Sequence, residues 1–250
     1  MAHNRDNCII LLVDAPEADK IGAELKTAFG PERAVHVNGD LLSAAYRLAK
    51  GFNEAIMILS YEKTLRHPDL TWLDPEDPGF LEVKHRTWEE RARDAFQLAF
   101  FTGAKKAVLV NHLTPDIKKE WLYQAFDSVT DKAVAVGPNA DGTFYLLGLT
   151  QPNLRVLDAP GFSAGKTAEN LADRAKKAKL SVFNTPESYA VNGEETLLKW
   201  MESKETLPPL FRHAEPLPAH AAEAHKKHHK RHSRAAQELP ADPPPEKPPL

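Results

Sequence analysis

Ala107-Val108-Leu109-Val110-Asn111-His112-Leu113-Thr114-Pro115-Asp116 joins an apolar run to a polar loop and a proline. Its apolar start, Ala107–Val110, is short, rich in branched side chains and bounded by turn formers, the pattern of a strand buried on both faces. Ahead of it the periodic segment Trp88–Thr102 reads as a helix ended by Gly103; helix, glycine and buried strand in that order make one step of a doubly wound sheet. After it, Thr114-Pro115 predicts a helix start. Threonine can accept from unpaired N–H groups, proline at the first helical position sacrifices no donor, and Trp121, Leu122, Ala125 and Phe126 supply a buried face.

Working outward, Cys8–Val13 reads as a second fully buried parallel strand, with Asp14-Ala15-Pro16 as the turn that follows. A helix is expected from about Ala18 to Phe29, broken by Gly30-Pro31, then a strand at Ala34–Val37, a helix at Leu41–Lys50 and a strand at Ala55–Ser60. Tyr61–Arg86, punctuated by Pro68, Pro75, Pro78 and Gly79, reads as a long ordered loop of the kind that carries function in α/β folds. Strands at Ala133–Val136 and Phe144–Leu149 flank a turn at Gly137–Thr143. A helix around Ala164–Ala178, a strand at Leu180–Phe183 and a helix around Glu194–Met201 follow. Repeated alternation of strand and helix predicts an α/β fold, a three-layer α/β/α sandwich with a mostly parallel sheet.

With 250 residues, 42% of them hydrophobic, the chain can bury one substantial core plus an appendage: a domain at 1–204 and a tail at 205–250. A net charge of −3 gives no overall case for nucleic-acid or membrane binding. The single cysteine, Cys8, lies inside an apolar run, so it reads as a buried strand residue and no disulfide framework can form. The N-terminus lacks a signal-peptide pattern, and no apolar stretch approaches the roughly 20 residues of a membrane span. A cytoplasmic location without a transmembrane segment is the expectation.

The pattern Gly137-Pro138-x-x-Asp141-Gly142-x-x-Tyr145-x-Leu147-Gly148, with Thr114-Pro115-Asp116 after a strand and Glu90-Arg91 ahead of a helix, closely resembles a bacterial GT-A-like glycosyltransferase family. That family is labelled arsenosugar-biosynthesis glycosyltransferase-like, within the nucleotide-diphospho-sugar transferase superfamily. The resemblance runs from residue 8 to residue 201. It implies a sugar-nucleotide ligand, a magnesium or manganese cofactor, and a pocket formed by Lys20, Glu90, Arg91, His112, Thr114, Pro115, Gly142 and Tyr145, with Asp141 as the catalytic carboxylate of an active enzyme.

Four departures from the family share one theme, the loss of charge needed to hold a metal–diphosphate complex. A basic Gly-x-Val-Lys-Thr-Arg-Leu loop becomes Asp19-Lys20-Ile21-Gly22-Ala23-Glu24-Leu25, so the lysine is Gly22, the arginine is Glu24, and Lys20 alone remains cationic. The metal loop Gly-Ser-Asp-x-Pro becomes Asn111-His112-Leu113-Thr114-Pro115, and leucine cannot ligate a cation that wants hard oxygen donors. His112 beside it either takes a softer metal or hydrogen-bonds within the loop. The Glu-Asp-Gly-Gly turn stands as Ala140-Asp141-Gly142-Thr143, in which Asp141 is either a general base or retained turn chemistry. Finally, an acidic Asp-Thr-Pro-Glu-Asp-Leu segment becomes Asn192-Gly193-Glu194-Glu195-Thr196-Leu197. Two functions stay open on these residues: a catalytically degenerate binding or scaffold module with no metal site, and an active, metal-independent glycosyl- or nucleotidyltransferase using Asp141, with Lys20 and His112 near the diphosphate.

The expected tail holds half of the 20 prolines and six of the 11 histidines. Its segment His225-Lys226-Lys227-His228-His229-Lys230-Arg231-His232-Ser233-Arg234 could meet an anionic partner or a transition metal; a solubilising disordered tail is the alternative.

Overall fold

Seven strands form one sheet in the order β3-β2-β1-β4-β6-β5-β7. The computed structural model describes residues 6–84, 87–158 and 167–205. The chain divides into two units, 1–205 and 206–250. The expectations for the basic histidine-rich and proline-rich tail fall on the second unit, outside the described residues.

The strands are β1 (Asn7–Val13), β2 (Ile56–Tyr61), β3 (Leu81–Glu82), β4 (Lys106–Val110), β5 (Ala133–Pro138), β6 (Phe144–Leu149) and β7 (Ser181–Asn184). β1 pairs in parallel with β2 and β4, β2 with β3, and β5 with β7, whereas β6 runs antiparallel between β4 and β5. The sheet is therefore mostly parallel, and the near-continuous apolar runs of β1 and β4 follow from helices covering both faces.

Helices α1 (Ala23–Phe29), α2 (Pro31–Lys50), α3 (Trp88–Phe101), α4 (Lys119–Ser128), α5 (Thr167–Lys177) and α6 (Glu194–Glu205) complete the domain, with a short 3-10 turn at Gln151–Leu157. On one face Ile9, Leu11, Val13, Val108 and Val110 pack against Leu42, Ala45, Tyr46 from α2 and Leu122, Ala125, Phe126 from α4. On the other, Cys8, Ile10, Leu12, Ala107 and Leu109 pack against Ala92, Ala95, Phe96 and Ala99 from α3 and Leu171 and Ala175 from α5. This is the expected three-layer sandwich. Burial pushes the Cys8 thiol up to about 12, which makes it an inert packing residue.

Two local expectations are corrected. Ala34–Val37 is not a strand but the second turn of the 20-residue helix α2. Gly30-Pro31 starts that helix: proline occupies its first turn, and the stripe Ala34, Val37, Leu41, Leu42, Ala45, Tyr46 and Ala49 keeps a helical period along its buried face. Likewise Thr114-Pro115 does not open α4, which starts at Lys119 without a side-chain cap. Asp116 adopts φ +60 and turns the chain first, and the Thr114 hydroxyl is engaged by Asn139 instead of the helix N-terminus.

Over its described residues, through Lys84, the loop after β2 contains β3 and is tied down by its own side chains. Tyr61 donates to the His67 carbonyl at 2.8 Å and meets Phe80 edge-on with ring centroids 5.0 Å apart. Asp74 is buried, pairs with Lys50 and accepts from Tyr46 at 2.7 Å, and these bonds, that of Lys50 foremost, hold its carboxyl down at about 2.

Candidate functional site

Because β1, β2, β4 and β5 point the same way, the loops that follow them gather at one end of the sheet. Open α/β sheets hold ligands at this end, where crossovers to opposite faces leave a crevice between neighbouring strands. Here the connection from β1 to β2 runs over the α2 face and that from β3 to β4 over the α3 face, which places the crevice between β1 and β4.

On each side of that crevice a cationic or titratable side chain bonds within the protein. Arg91, on the first turn of α3, reaches across the ends of β1 and β2; its guanidinium binds the Asp14 carboxylate and donates to the carbonyls of Val13 at 2.8 Å and Ser60 at 3.0 Å. Its charge is therefore committed to Asp14. His112, after β4, shares a 2.8 Å hydrogen bond with the Asn38 side chain on the buried face of α2. Burial lowers the His112 pKa; Asp14 pulls it up and Arg91 pulls it down, so the imidazole is held towards its neutral form.

Leu113, next in the chain, packs against the cluster Ile21, Leu25, Val37, Leu41, Val191, Leu197 and Trp200, which joins α1, α2 and α6. Its carbonyl accepts from Val191 N at 2.8 Å, so backbone and side chain fix it together. Thr114 is buried, and Asn139 Nδ2 donates to its hydroxyl at 2.9 Å and to that of Thr143 at 3.0 Å. Pro115 is buried beside it.

The turn between β5 and β6 owes its form to Gly142, at φ +86, and to Asp141, whose Oδ1 accepts from the Thr143 backbone at 3.0 Å and from its hydroxyl at 2.6 Å. The other oxygen of Asp141 accepts from Asn192 Nδ2 at 2.9 Å. The structure thus brings together Asp141 and Asn192, far apart in sequence.

Three expected pocket residues have other duties. Glu90 forms a capping box with Thr87 at the start of α3. Tyr145 is fully buried, donates to the Pro186 carbonyl at 2.8 Å and bonds the Thr185 hydroxyl at 2.7 Å, and burial pushes its pKa up to about 12. Its ring is a core residue rather than a pocket wall, and Gly137 belongs to the same packing: a Cβ there would lie 2.6 Å from the Tyr145 ring. Lys20 is ion-paired with Glu62 at 3.3 Å and lies in a shallow groove lined also by Glu17, Lys63, Arg66 and Lys84. In that groove Glu17 accepts from Thr64 and from His67 Nδ1, which lowers its pKa.

Among the described residues no group of three His, Cys, Asp or Glu side chains gathers to hold a metal ion. The magnesium or manganese implied by the family resemblance does not fit: the position where an acid would stand is occupied by Leu113 in an apolar cluster, and both oxygens of Asp141 are already hydrogen-bonded.

Nothing local in the sequence marks Asp14 or Asn139 as partners of Arg91 and Thr114. Asn38 carries a signal, being a polar residue on the apolar stripe of α2 between Val37 and Leu41.

A crystal structure of a candidate nucleotide-diphospho-sugar transferase from Desulfovibrio desulfuricans G20 superposes with TM-score 0.67 at 22% identity, covering 80% of this chain and 89% of that one. The domain therefore has a GT-A-like fold. The GT-A-like domain also superposes on a Methanothermobacter nucleotidyl transferase, with TM-score 0.53 at 11% identity over 79% of this chain and 96% of that one. A candidate glucose-1-phosphate thymidylyltransferase from Bacillus anthracis, solved with a sucrose, gives TM-score 0.51 at 7% identity over 81% and 96% of the two chains. Residues 47–164 of the GT-A-like domain match the family described as an uncharacterized protein conserved in bacteria, DUF2064. No curated protein matches the chain in sequence. Among the described residues no helix is long and apolar enough to cross a membrane.

Proposed function

We propose that this GT-A-like domain is a catalytically degenerate relative of the sugar-nucleotide transferases that acts as a binding or scaffold module. One observation carries the reading: the groups at the crevice that would meet a metal–diphosphate are each engaged by a partner within the protein. Arg91 holds Asp14, His112 holds Asn38, Asp141 holds Thr143 and Asn192, and Leu113 is packed into an apolar cluster. Departure of a nucleotide diphosphate needs preorganised positive charge that is free to meet the developing negative charge. Glu24 stands exposed on α1, where it repels a phosphate.

The solved structures with this fold carry names for transfer of sugars and nucleotides, so a sugar nucleotide is the ligand class to test. Thermal shift with UDP-, GDP- and CDP-linked sugars, with and without millimolar manganese, separates the possibilities. We expect no stabilisation by manganese, alone or with a nucleotide diphosphate; a sugar nucleotide that binds at all binds equally without metal. Metal-dependent stabilisation would overturn the degenerate reading and favour a transferase. Turnover without metal would favour the metal-independent enzyme using Asp141.

For the segment 225–234 the proposed partner is anionic. Retention of the full chain on heparin should weaken steeply with salt and strengthen as histidines protonate below about pH 6.5. Chelator-sensitive retention on nickel that weakens on acidification would point to metal instead.

A further inference from the structure

The sequence contains two Asn-Gly dipeptides, Asn38-Gly39 and Asn192-Gly193, and the fold treats them oppositely. Asparagine followed by glycine is prone to intramolecular attack, because no Cβ on the next residue hinders its backbone nitrogen. Asn38 is buried in the middle of α2, where the helix fixes the backbone and His112 engages its side chain. Asn192 is exposed, just ahead of α6, and a Cβ placed on Gly193 would meet nothing within 4 Å. One hydroxyl also touches both reacting groups there: Thr196 Oγ1 lies 3.2 Å from Gly193 N and 3.5 Å from Asn192 Oδ1.

We propose that Asn192 is a self-modifying residue whose deamidation releases the link between the β5–β6 turn and the start of α6. The lone pair of Gly193 N attacks Asn192 Cγ, the Cγ–Nδ2 bond breaks, and Nδ2 leaves as ammonia with the proton lost from Gly193 N. Water then opens the cyclic imide at either carbonyl to give an aspartyl or isoaspartyl residue, each with a free carboxylate. Before the reaction the amide donates to Asp141 Oδ2 at 2.9 Å. Afterwards an acceptor faces an acceptor. Two ionised carboxylates at that separation repel, so the contact is lost at neutral pH and returns only when acid places a proton between them. The change adds one negative charge at the turn and operates whether or not the domain binds a sugar nucleotide.

The experiment holds the purified full chain at mildly alkaline pH and follows the proteolytic peptides by mass spectrometry. The peptide carrying Asn192 should gain the amide-to-acid mass increment with time, while the peptide carrying Asn38 stays unchanged. Gly193→Ala, which fits the open space at that position, should react severalfold more slowly. Asn192→Asp tests the consequence: its melting temperature should fall below that of the unmodified chain at neutral pH, and the gap should close as acidification protonates the carboxylate pair. Deamidation of Asn192 no faster than that of Asn38 would overturn the assignment of the site. An Asn192→Asp protein as stable as the parent at neutral pH would overturn its effect on the link.

Discussion

Replacing Leu113 by aspartate tests whether the loop after β4 is a metal loop with one changed residue or a repacked one. The Leu113 side chain is half-buried against Ile21, Leu25, Val37, Leu41, Leu197 and Trp200. Removing three side-chain carbons at about 0.8 kcal/mol each, discounted by half for partial exposure, loses about 1.2 kcal/mol. Placing an unpaired carboxylate against the same apolar wall adds about 1–3 kcal/mol. The sum is about 2–4 kcal/mol, or a fall in Tm of about 4–15 °C for a domain of this size. Leu113→Ala should show the first part alone, about 1 kcal/mol. Urea unfolding of both variants, with and without manganese, separates the contributions, since an aspartate that finds no metal gains nothing from the ion. A Leu113→Asp protein as stable as the parent, or one rescued by manganese, would refute the packing argument and restore the loop as a metal site. Combining it with Gly22→Lys and Glu24→Arg, both exposed at the start of α1, then asks whether restored charge brings nucleotide affinity.

Arg91→Met leaves Asp14 without its partner and two strand-end carbonyls without a donor; a loss of about 2–4 kcal/mol in denaturant unfolding is expected, and Arg91→Lys should recover only part of it because an ammonium cannot span the three acceptors. His112 contributes a pH dependence whose sign follows from its lowered pKa: between the unfolded value near 6.5 and the lower folded value the unfolded chain binds more protons, so the contribution is complete above about pH 6.5 and declines as pH falls below it. His112→Gln should flatten that segment of the stability profile, and an unchanged slope would assign it elsewhere. Asp74 behaves likewise at lower pH. Its carboxyl is held at about 2, so its contribution is present above the unfolded value near 3.9 and is lost as pH falls through about 2; Asp74→Asn should remove this acid-side loss. Gly148→Ala should cost about 1–3 kcal/mol by overpacking, because the added Cβ would lie 2.7 Å from Val129 Cγ2 and 3.1 Å from the Ala135 Cβ; equal thermal stability would show that the strands can yield there.

The layers are legible in the residues alone. Cys8–Val13 and Ala107–Val110 are apolar on both faces, a pattern that local composition displays fully and that only a sheet covered on both sides can satisfy. The sequence also shows that no cation stands at positions 22 and 24 and no acid at 113 and 192, because the identity of a residue needs no fold to be read. It misplaced Ala34–Val37 because four apolar-flanked residues after Gly30-Pro31 suit a strand as well as a helix turn, and only packing of the whole α2 stripe against the sheet selects the helix. It misread Thr114 because a hydroxyl before proline caps a helix by default, whereas Asn139, brought alongside by the β4–β6–β5 pairing, competes for it. The partners that decide the site's chemistry are likewise tertiary. Arg91 meets Asp14 across 77 residues, His112 meets Asn38 across 74 and Asp141 meets Asn192 across 51. Whether a charge is free for a ligand or already engaged depends on distances of a few ångströms between segments that the chain order keeps apart, and only the folded structure fixes those distances.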